Sequence, residues 1–528
     1  MAKIRFLEIS NFRGIKKLSW HPEPGINCLI GPGDSSKSTI HEAIESGLGS
    51  RRNFQFTDSD FHNMNVEQPI VIEITIGELE DRLKKLDSHG LYLRGFNPKT
   101  KILEDEPGSG LETVLTIRMT VNSDLEPIWI LYSERSDQTN PRQLNWSERQ
   151  LIAPARIGHH ISYDLSWRKG SVLNKISEEK AQPASNFAQA NREARIAFGN
   201  EANNQLRNAR EIVKATAKDQ GVFVGNEDQA LLDIDSISMS GGSISLHNEQ
   251  GVPLKNLGVG STRMLIAGLQ KKALVNNILI VDELEYGLEP HRIIRFLHSL
   301  GSKDENPKQA FLTTHSPTAL KELSGDQIYI VRNQTGEHLV SSIGTSDEAQ
   351  GTLRTFPEAF LAKSIIVCEG ATEVGLVRGI DQFRTSKNLL PITANAFSWI
   401  DGGGSNKFLK RGIALRKLGY TTVVLCDADV PIDQALLNEY NTIGGLNSSW
   451  ETGNSLEQQM FKDLDEESLT KVMNLAIEFN GVEYINSNIS SESKGMLNAQ
   501  TATSNFTADK RAILGKLAHK CSWFKSIS

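Results

Sequence analysis

Apolar and polar positions alternate from the start of the chain. Ile4, Phe6 and Ile9 are apolar, with Arg5 and Glu8 between them, which predicts a half-buried strand over residues 3–9. Asn11-Phe12-Arg13-Gly14 reads as a turn. Residues 26–30 form a second short apolar strand. It runs directly into Gly31-Pro32-Gly33-Asp34-Ser35-Ser36-Lys37-Ser38-Thr39, and helical periodicity follows over residues 38–48. Alternation returns over residues 70–76, and strand-like pieces follow at 113–119 and 129–132. The polar, alanine-rich run 186–217 reads as an amphipathic helix hairpin, a helical arm or dimerisation insert.

The pattern tightens again after Gly258. A helix is predicted over residues 261–275. Continuous apolar strands follow at 278–281 and 310–313, of the kind buried on both faces of a parallel sheet. Residues 336–351 are polar and turn-rich, which puts a domain boundary near residue 350. A new unit starts with a strand at 364–368, a helix from Glu373 to about Phe383 and a strand at 423–426, again an α/β alternation. The tail 482–509 is polar and is expected to be a mobile loop. Neither an internal repeat nor a coiled-coil heptad pattern is visible.

Length and composition change this picture little. A chain of 528 residues is too long for one ordinary core, and roughly two to four domains are expected. With 38% hydrophobic and 23% charged residues it reads as globular. No run of about 18 apolar residues predicts a membrane span. The opening MAKIRFLEIS lacks an apolar signal core, so a cytoplasmic protein is expected. Cys28, Cys368, Cys426 and Cys521 are far apart, form no CxxC pair, and read as reduced thiols, three of them in or beside apolar strands. The net charge of −7 argues against a basic, DNA-coating protein. It does not exclude grouped basic residues, or metals bridging carboxylates to phosphates.

Two constellations carry chemistry. A triphosphate loop needs inward backbone N–H groups, a lysine for the β- and γ-phosphates and a hydroxyl for magnesium. Gly31, Gly33, Asp34, Ser35, Ser36, Lys37, Ser38 and Thr39 supply them, after a strand and at the opening of a helix. Ser36 stands where the usual pattern has glycine. Ile278-Leu279-Ile280-Val281-Asp282-Glu283 is an apolar strand ending in two carboxylates. Asp282 is placed to hold magnesium together with Ser38, and Glu283 to polarise the attacking water. His315, in Thr313-Thr314-His315-Ser316 at the next strand end, is placed to contact the γ-phosphate.

The second constellation is acidic. Val367-Cys368-Glu369-Gly370 and Leu425-Cys426-Asp427-Ala428-Asp429 both end apolar strands. In a parallel sheet the two ends share an edge. That gathers Glu369, Asp427 and Asp429, which repel one another unless a divalent cation lies among them. Glu373 and Glu457 are further candidate ligands. Asp401-Gly402-Gly403-Gly404 is a turn that could approach a phosphate. Lys510, Lys516 and Lys525 are alternative candidates for a lysine stabilising a phosphoryl transition state.

The first constellation, with Phe12-Arg13-Gly14, resembles the ABC ATPase superfamily, in the branch of the SMC and RecF-like repair ATPases. Leu257-Gly258-Val259-Gly260-Ser261-Thr262-Arg263 occupies the place of its signature motif, so the resemblance implies that Gly258 and Gly260 contact ATP of a second subunit. The wording departs from Ser-Gly-Gly-Gln. Glu289 stands where relatives often have histidine and receives no role. Glu-Gly followed by Asp-x-Asp resembles the TOPRIM pattern of topoisomerases, primases and some nucleases. Both in one chain resemble the OLD (overcoming lysogenisation defect) family, to which the Gabija defence nuclease belongs.

That resemblance implies an α/β fold with three parts. Residues 1–80 and 250–350 form an ABC-type ATPase domain. Residues 80–250 hold its remainder and an inserted helical dimerisation region. Residues 351–528 form a TOPRIM domain with a parallel sheet. It further implies ATP, with Mg²⁺ or Mn²⁺ at both sites, a homodimer or higher homo-oligomer, DNA as substrate, and antiphage defence. A separately encoded helicase, or a reverse transcriptase with its RNA/DNA, is a partner of the kind it allows; no membrane is involved. The leading expectation is an ATP-regulated DNA endonuclease. The alternative is an ATP-driven DNA-structure sensor or repair ATPase with a non-cleaving TOPRIM domain. A topoisomerase or primase fits less well, because neither a suitable tyrosine context nor a zinc-binding region is evident.

Overall fold

A computed structural model describes residues 2–49, 54–84, 90–136, 140–144, 146–157, 165, 171–173, 189, 192–193, 196–198, 204–222, 246–272, 278–305, 307–334, 337–404, 406–428 and 431–524. The chain divides into two compact units, Met1–Pro154 with Asn277–Glu285 and Ile293–Ser528, and Ala155–Asn276 with Tyr286–Arg292.

The first unit contains a large mixed sheet. Its strands are β1 (Lys3–Phe12), β2 (Ile15–Trp20), β3 (Ile26–Ile30), β4 (Ile70–Gly77), β5 (Leu93–Asn97), β6 (Ile102–Glu104), β7 (Glu112–Val121) and β8 (Pro127–Tyr132). After β9 (Ala155–Ile157), which belongs to the second unit, come β10 (Ile278–Val281), β11 (Gln309–Thr313), β12 (Ile328–Gln334) and β13 (Glu337–Ser342). Within the unit they lie in the order β6-β5-β7-β4-β1-β2-β13-β12-β3-β11-β10, with β8 beside β7.

The sheet has two characters, and each follows from its sequence. Strands β1, β4, β7 and β2 are antiparallel neighbours, and β1 and β2 alternate buried with more exposed positions. Strands β12, β3, β11 and β10 run parallel, and every residue of β3, β10 and β11 is buried. Unbroken apolar runs suit a sheet covered on both faces. The helix Lys37–Leu48 buries Ile40, Ala43, Ile44 and Leu48 in the core shared with β1, β4 and β7.

A separate four-stranded sheet follows. It is built from β14 (Ser364–Cys368), β15 (Phe397–Asp401), β16 (Thr421–Cys426) and β17 (Leu446–Ser449) in the order β15-β14-β16-β17, all parallel. Cys368 pairs with both Asp401 and Leu425, so the carboxyl ends of β14, β15 and β16 are level.

Three sequence expectations are corrected. The stretch 336–351 is not merely turns: it supplies β13 and the helix Asp347–Thr355. The tail 482–509 is not a loop throughout. It opens with the helix Val482–Glu492, whose Ile485 and Ile489 are buried one turn apart. These join Phe461, Leu469, Met473, Leu514 and Trp523 in a small helical core. Finally, β1 extends through Phe12, and β2, unforeseen, completes a hairpin with it.

In the second unit, the described end of the run 186–217 includes the helix Arg207–Asp219, none of whose residues is buried. Residues 186–188, 190–191, 194–195 and 199–203 of the expected hairpin lie outside the described residues. The four cysteines are free thiols, Cys28, Cys368 and Cys426 buried and Cys521 half-buried. Among the described residues no helix is long and apolar enough to cross a membrane.

Candidate nucleotide and acidic sites

Strand β3 delivers Gly31 from the parallel half of the sheet, and the loop closes onto the helix beginning at Lys37. Lys37 is buried, and its ammonium donates at 3.0 Å to Gly31 O, Pro32 O and Ser35 Oγ. Burial lowers its pKa, while Asp282 and Asp34 oppose that shift. The loop thus carries a cation in a low-dielectric cradle, where an approaching phosphate meets little competing solvent. Gly33 faces open space and Thr39 is half-buried.

The serine that replaces glycine, Ser36, adopts the left-handed conformation, with φ 66° and ψ 23°. Glycine enters that region freely, and other residues do so at a cost. Ser36 Oγ lies 3.1 Å from Nε2 of His338, a buried residue of β13. The turn between β1 and β2 adjoins the same place. Arg13 Nε donates to Asp60 Oδ1 at 2.7 Å, and its guanidinium also pairs with Glu42 on the helix after the loop.

Strand β10 lies beside β11, and Asp282 emerges level with Thr313. Ser38 Oγ donates to Asp282 Oδ1 at 3.4 Å, so the hydroxyl and carboxylate suited to Mg²⁺ do converge. That donor set fits a nucleotide-bound magnesium ion, which Ser38 and Asp282 would hold, with Lys37 at the phosphates. Glu283 has φ 46°. His315 is exposed, and its backbone N–H donates to Glu285 Oε1 at 2.8 Å, while Thr314 Oγ1 donates to Glu285 Oε2 at 2.6 Å. Sequence reading missed Glu285, Thr313 and His338. An acidic residue two positions after Glu283 and a threonine at the end of β11 were weak local signals; His338 had none.

In the second unit, Gly258 and Gly260 flank the start of the helix Val259–Lys272. A side chain on Gly260 would meet Gly287 O at 2.1 Å, so close packing requires glycine there. The buried Arg263 donates to Tyr286 O at 2.9 Å.

At the carboxyl edge of the second sheet, Glu369 Oε2 accepts the Asp427 N–H at 3.0 Å, and Gly404 N–H donates to Glu369 O at 2.8 Å. Asp427 Oδ1 accepts from Trp450 Nε1 at 2.8 Å and from Leu456 N–H at 2.9 Å. Glu373 is buried and caps its own helix through Gly370 N–H at 2.8 Å. Burial, then the charges of Asp427 and Glu369, push its pKa up to about 7. Glu369, Glu373 and Asp427 therefore share one electrostatic environment. Among the described residues no three His, Cys, Asp or Glu form a group that could hold a metal ion; Asp429 and Lys525 lie outside those residues. Magnesium needs only one or two protein carboxylates, so Glu369 and Asp427 fit that limited role.

The remaining candidates have other hydrogen-bond partners, though Glu457 directly follows Leu456, whose N–H meets Asp427. Glu457 is buried and accepts from Ser455 Oγ at 3.0 Å, with His519 Nδ1 at 3.2 Å. Lys510 is buried and donates to Thr501 O and Ser504 O. Lys516 is exposed and pairs with Glu492 at 2.9 Å. None of these contacts joins the Glu369–Asp427 edge. Trp450, which does, was not singled out from sequence.

No curated protein matches the chain. Among solved structures it is similar to an SMC head bound to the C-terminal winged-helix domain of ScpA, at 15% identity and TM-score 0.35, covering 66% of this chain and 99% of that one. It is also similar to the Pyrococcus furiosus SMC head domain with an extended coiled coil, bound to the C-terminal domain of ScpA, at 12% identity and TM-score 0.36, covering 68% and 100%. The SMC head domain from Thermotoga maritima matches at 10% identity and TM-score 0.31, covering 65% and 100%. The family described as "AAA domain, putative AbiEii toxin, Type IV TA system" matches residues 26–321, more than half of the chain and the whole span from β3 through His315. The chain therefore belongs to this AAA family and carries a nucleotide-binding ATPase domain of the AAA type.

Proposed function

We propose that the protein is an ATP-regulated, divalent-metal-dependent DNA endonuclease. The observation that carries this reading is the meeting of Glu369 and Asp427 at one carboxyl edge of the parallel sheet, where Glu369 Oε2 accepts the Asp427 N–H at 3.0 Å, with the buried Glu373 at the start of the following helix. A sheet edge that served only for packing has no reason to gather like charges. Glu369 and Asp427 would hold Mg²⁺ or Mn²⁺, which when bound supplies charge stabilisation to a phosphodiester and a more acidic water. Trp450 and the Leu456 N–H orient the Asp427 carboxylate. Residues 351–528 are assigned to this activity and the P-loop half to its nucleotide control.

The resemblance to the OLD family extends the proposal to antiphage defence and to a homo-oligomer. The exposed Ile212 and Val213 on the helix Arg207–Asp219 offer apolar surface for association. Sedimentation of the chain with ATP as a strict monomer would remove the oligomer, and unchanged phage plating on cells carrying the chain would remove the defence role.

The test of cleavage is plasmid nicking by purified protein with Mg²⁺ or Mn²⁺, with and without ATP. Metal-dependent conversion of supercoiled DNA supports the proposal. The second reading is an ATP-driven DNA sensor with a non-cleaving TOPRIM domain. DNA binding that responds to ATP, with no cleavage under any metal condition, selects it.

A further inference from the structure

The residue before Lys37 is where triphosphate loops ordinarily use glycine. Here it is Ser36, held at φ 66°, in the region where a Cβ is unfavourable. Something outside the loop must hold that conformation. Among the described residues, the Ser36 side chain meets two places far apart in sequence. His338 Nε2 is 3.1 Å from Ser36 Oγ across 302 residues, and His338 is 2% exposed. On the other side is Gly14, where a Cβ would stand 2.7 Å from Ser36 Oγ. Gly14 therefore leaves the slot into which the hydroxymethyl group fits, and His338 meets the hydroxyl within it.

We infer that His338 is a positioning residue for the nucleotide loop. It holds Ser36 by its hydroxyl in the left-handed conformation that glycine adopts unaided, and Gly14 is small so that this contact can form. Strand β13 delivers His338 to the slot because it pairs with β2 on one side, with His338 opposite Leu18, and with β12 on the other. Lys37 follows Ser36 directly, so loss of the anchor misplaces the phosphate-binding amides and the ammonium together. The inference concerns nucleotide binding alone and does not rest on DNA cleavage.

The test is a double-mutant cycle on the full chain, read as Kd for ATP together with KM and kcat for its hydrolysis. His338→Ala should weaken ATP binding by about 5- to 10-fold, the worth of one hydrogen bond, and raise KM in step with Kd. In a Ser36→Gly background the same His338→Ala substitution should change Kd by less than about twofold, because glycine needs no anchor. Gly14→Ala should weaken binding when Ser36 is present and lose its effect in the Ser36→Gly background. His338→Gln, which keeps a hydrogen-bonding group, should fall between wild type and His338→Ala. An equal penalty from His338→Ala in both backgrounds overturns the inference, as does a Gly14→Ala penalty that ignores Ser36. Should His338→Ala not fold, the Gly14→Ala cycle decides alone. A wild-type chain that binds no ATP would overturn the nucleotide site itself, a distinct result.

Discussion

Thr313 Oγ1 donates a 2.6 Å hydrogen bond to Asp282 Oδ1 and accepts one of 2.8 Å from the Glu283 N–H. One hydroxyl at the end of β11 thus holds the Asp282 carboxylate and the backbone of Glu283, the two acidic residues that leave β10. Glu283 has φ 46°, a conformation that persists in a non-glycine residue only when its surroundings impose it. Thr313→Val keeps the side-chain volume and removes both bonds. It should lower kcat for ATP hydrolysis by roughly 30-fold, since the two lost bonds are worth about 1 kcal/mol each, with Kd for ATP little changed. An unaltered kcat in Thr313→Val would show that the bridge is not used in hydrolysis.

Lys37→Ala should abolish ATP binding and hydrolysis while leaving the circular dichroism spectrum intact. The ammonium's hydrogen bonds all go to atoms of its own loop, so no hydrogen bond between separate elements is lost with it. Near-normal turnover in this variant would dismiss the loop as the nucleotide site. Glu283→Gln should separate the two steps, binding ATP normally yet releasing phosphate at least about 100-fold more slowly, as expected when the group that orients the attacking water is lost. Loss of binding in Glu283→Gln would argue for a structural role instead.

His338 also gives the stability a pH dependence. Its burial, reinforced by His62, lowers its pKa below the ordinary 6.5. The unfolded chain therefore takes up the proton first as pH falls. The contribution from this residue is complete above about pH 6.5 and is lost on the acid side, as pH falls toward the folded-state pKa. The melting temperature of the wild type should drop more between pH 7.5 and 5.5 than that of His338→Gln, in which the group is absent. Parallel pH profiles for the two proteins would refute this.

Asp427→Ala should eliminate metal-dependent DNA cutting, by on the order of 100-fold or more, because stabilisation of phosphoryl charge is a dominant catalytic effect. ATP hydrolysis should survive, since Asp427 sits in the separate parallel sheet, where its hydrogen bonds go to Glu369, Trp450 and Leu456. Glu369→Ala should behave alike. Equal cutting by wild type and Asp427→Ala on supercoiled and linear DNA would place the chemistry elsewhere.

What could be read without coordinates was local. The P-loop is one unbroken stretch from Gly31 to Thr39, flanked by an apolar strand and a helix. Asp282 and Glu283 directly follow four apolar residues, and Glu369 and Asp427 each follow a strand of the same kind. In these cases the chemistry and the element that presents it share one short segment, so order and spacing were enough. The level ends of β14 and β16 also followed, because parallel neighbours must finish on the same edge. Tertiary structure alone decided the supports. His338 reaches Ser36 only because β13 lies between β2 and β12, and β13 itself was hidden in a polar segment with a single buried side chain. Trp450 and Leu456 reach Asp427 through the turn after β17, and Lys510, a basic residue like any other in the sequence, is turned onto carbonyls of its own helical cluster. A hydrogen bond between residues far apart in sequence leaves no periodicity in either segment, because its partner is set by how the sheets and helices pack and not by neighbours along the chain.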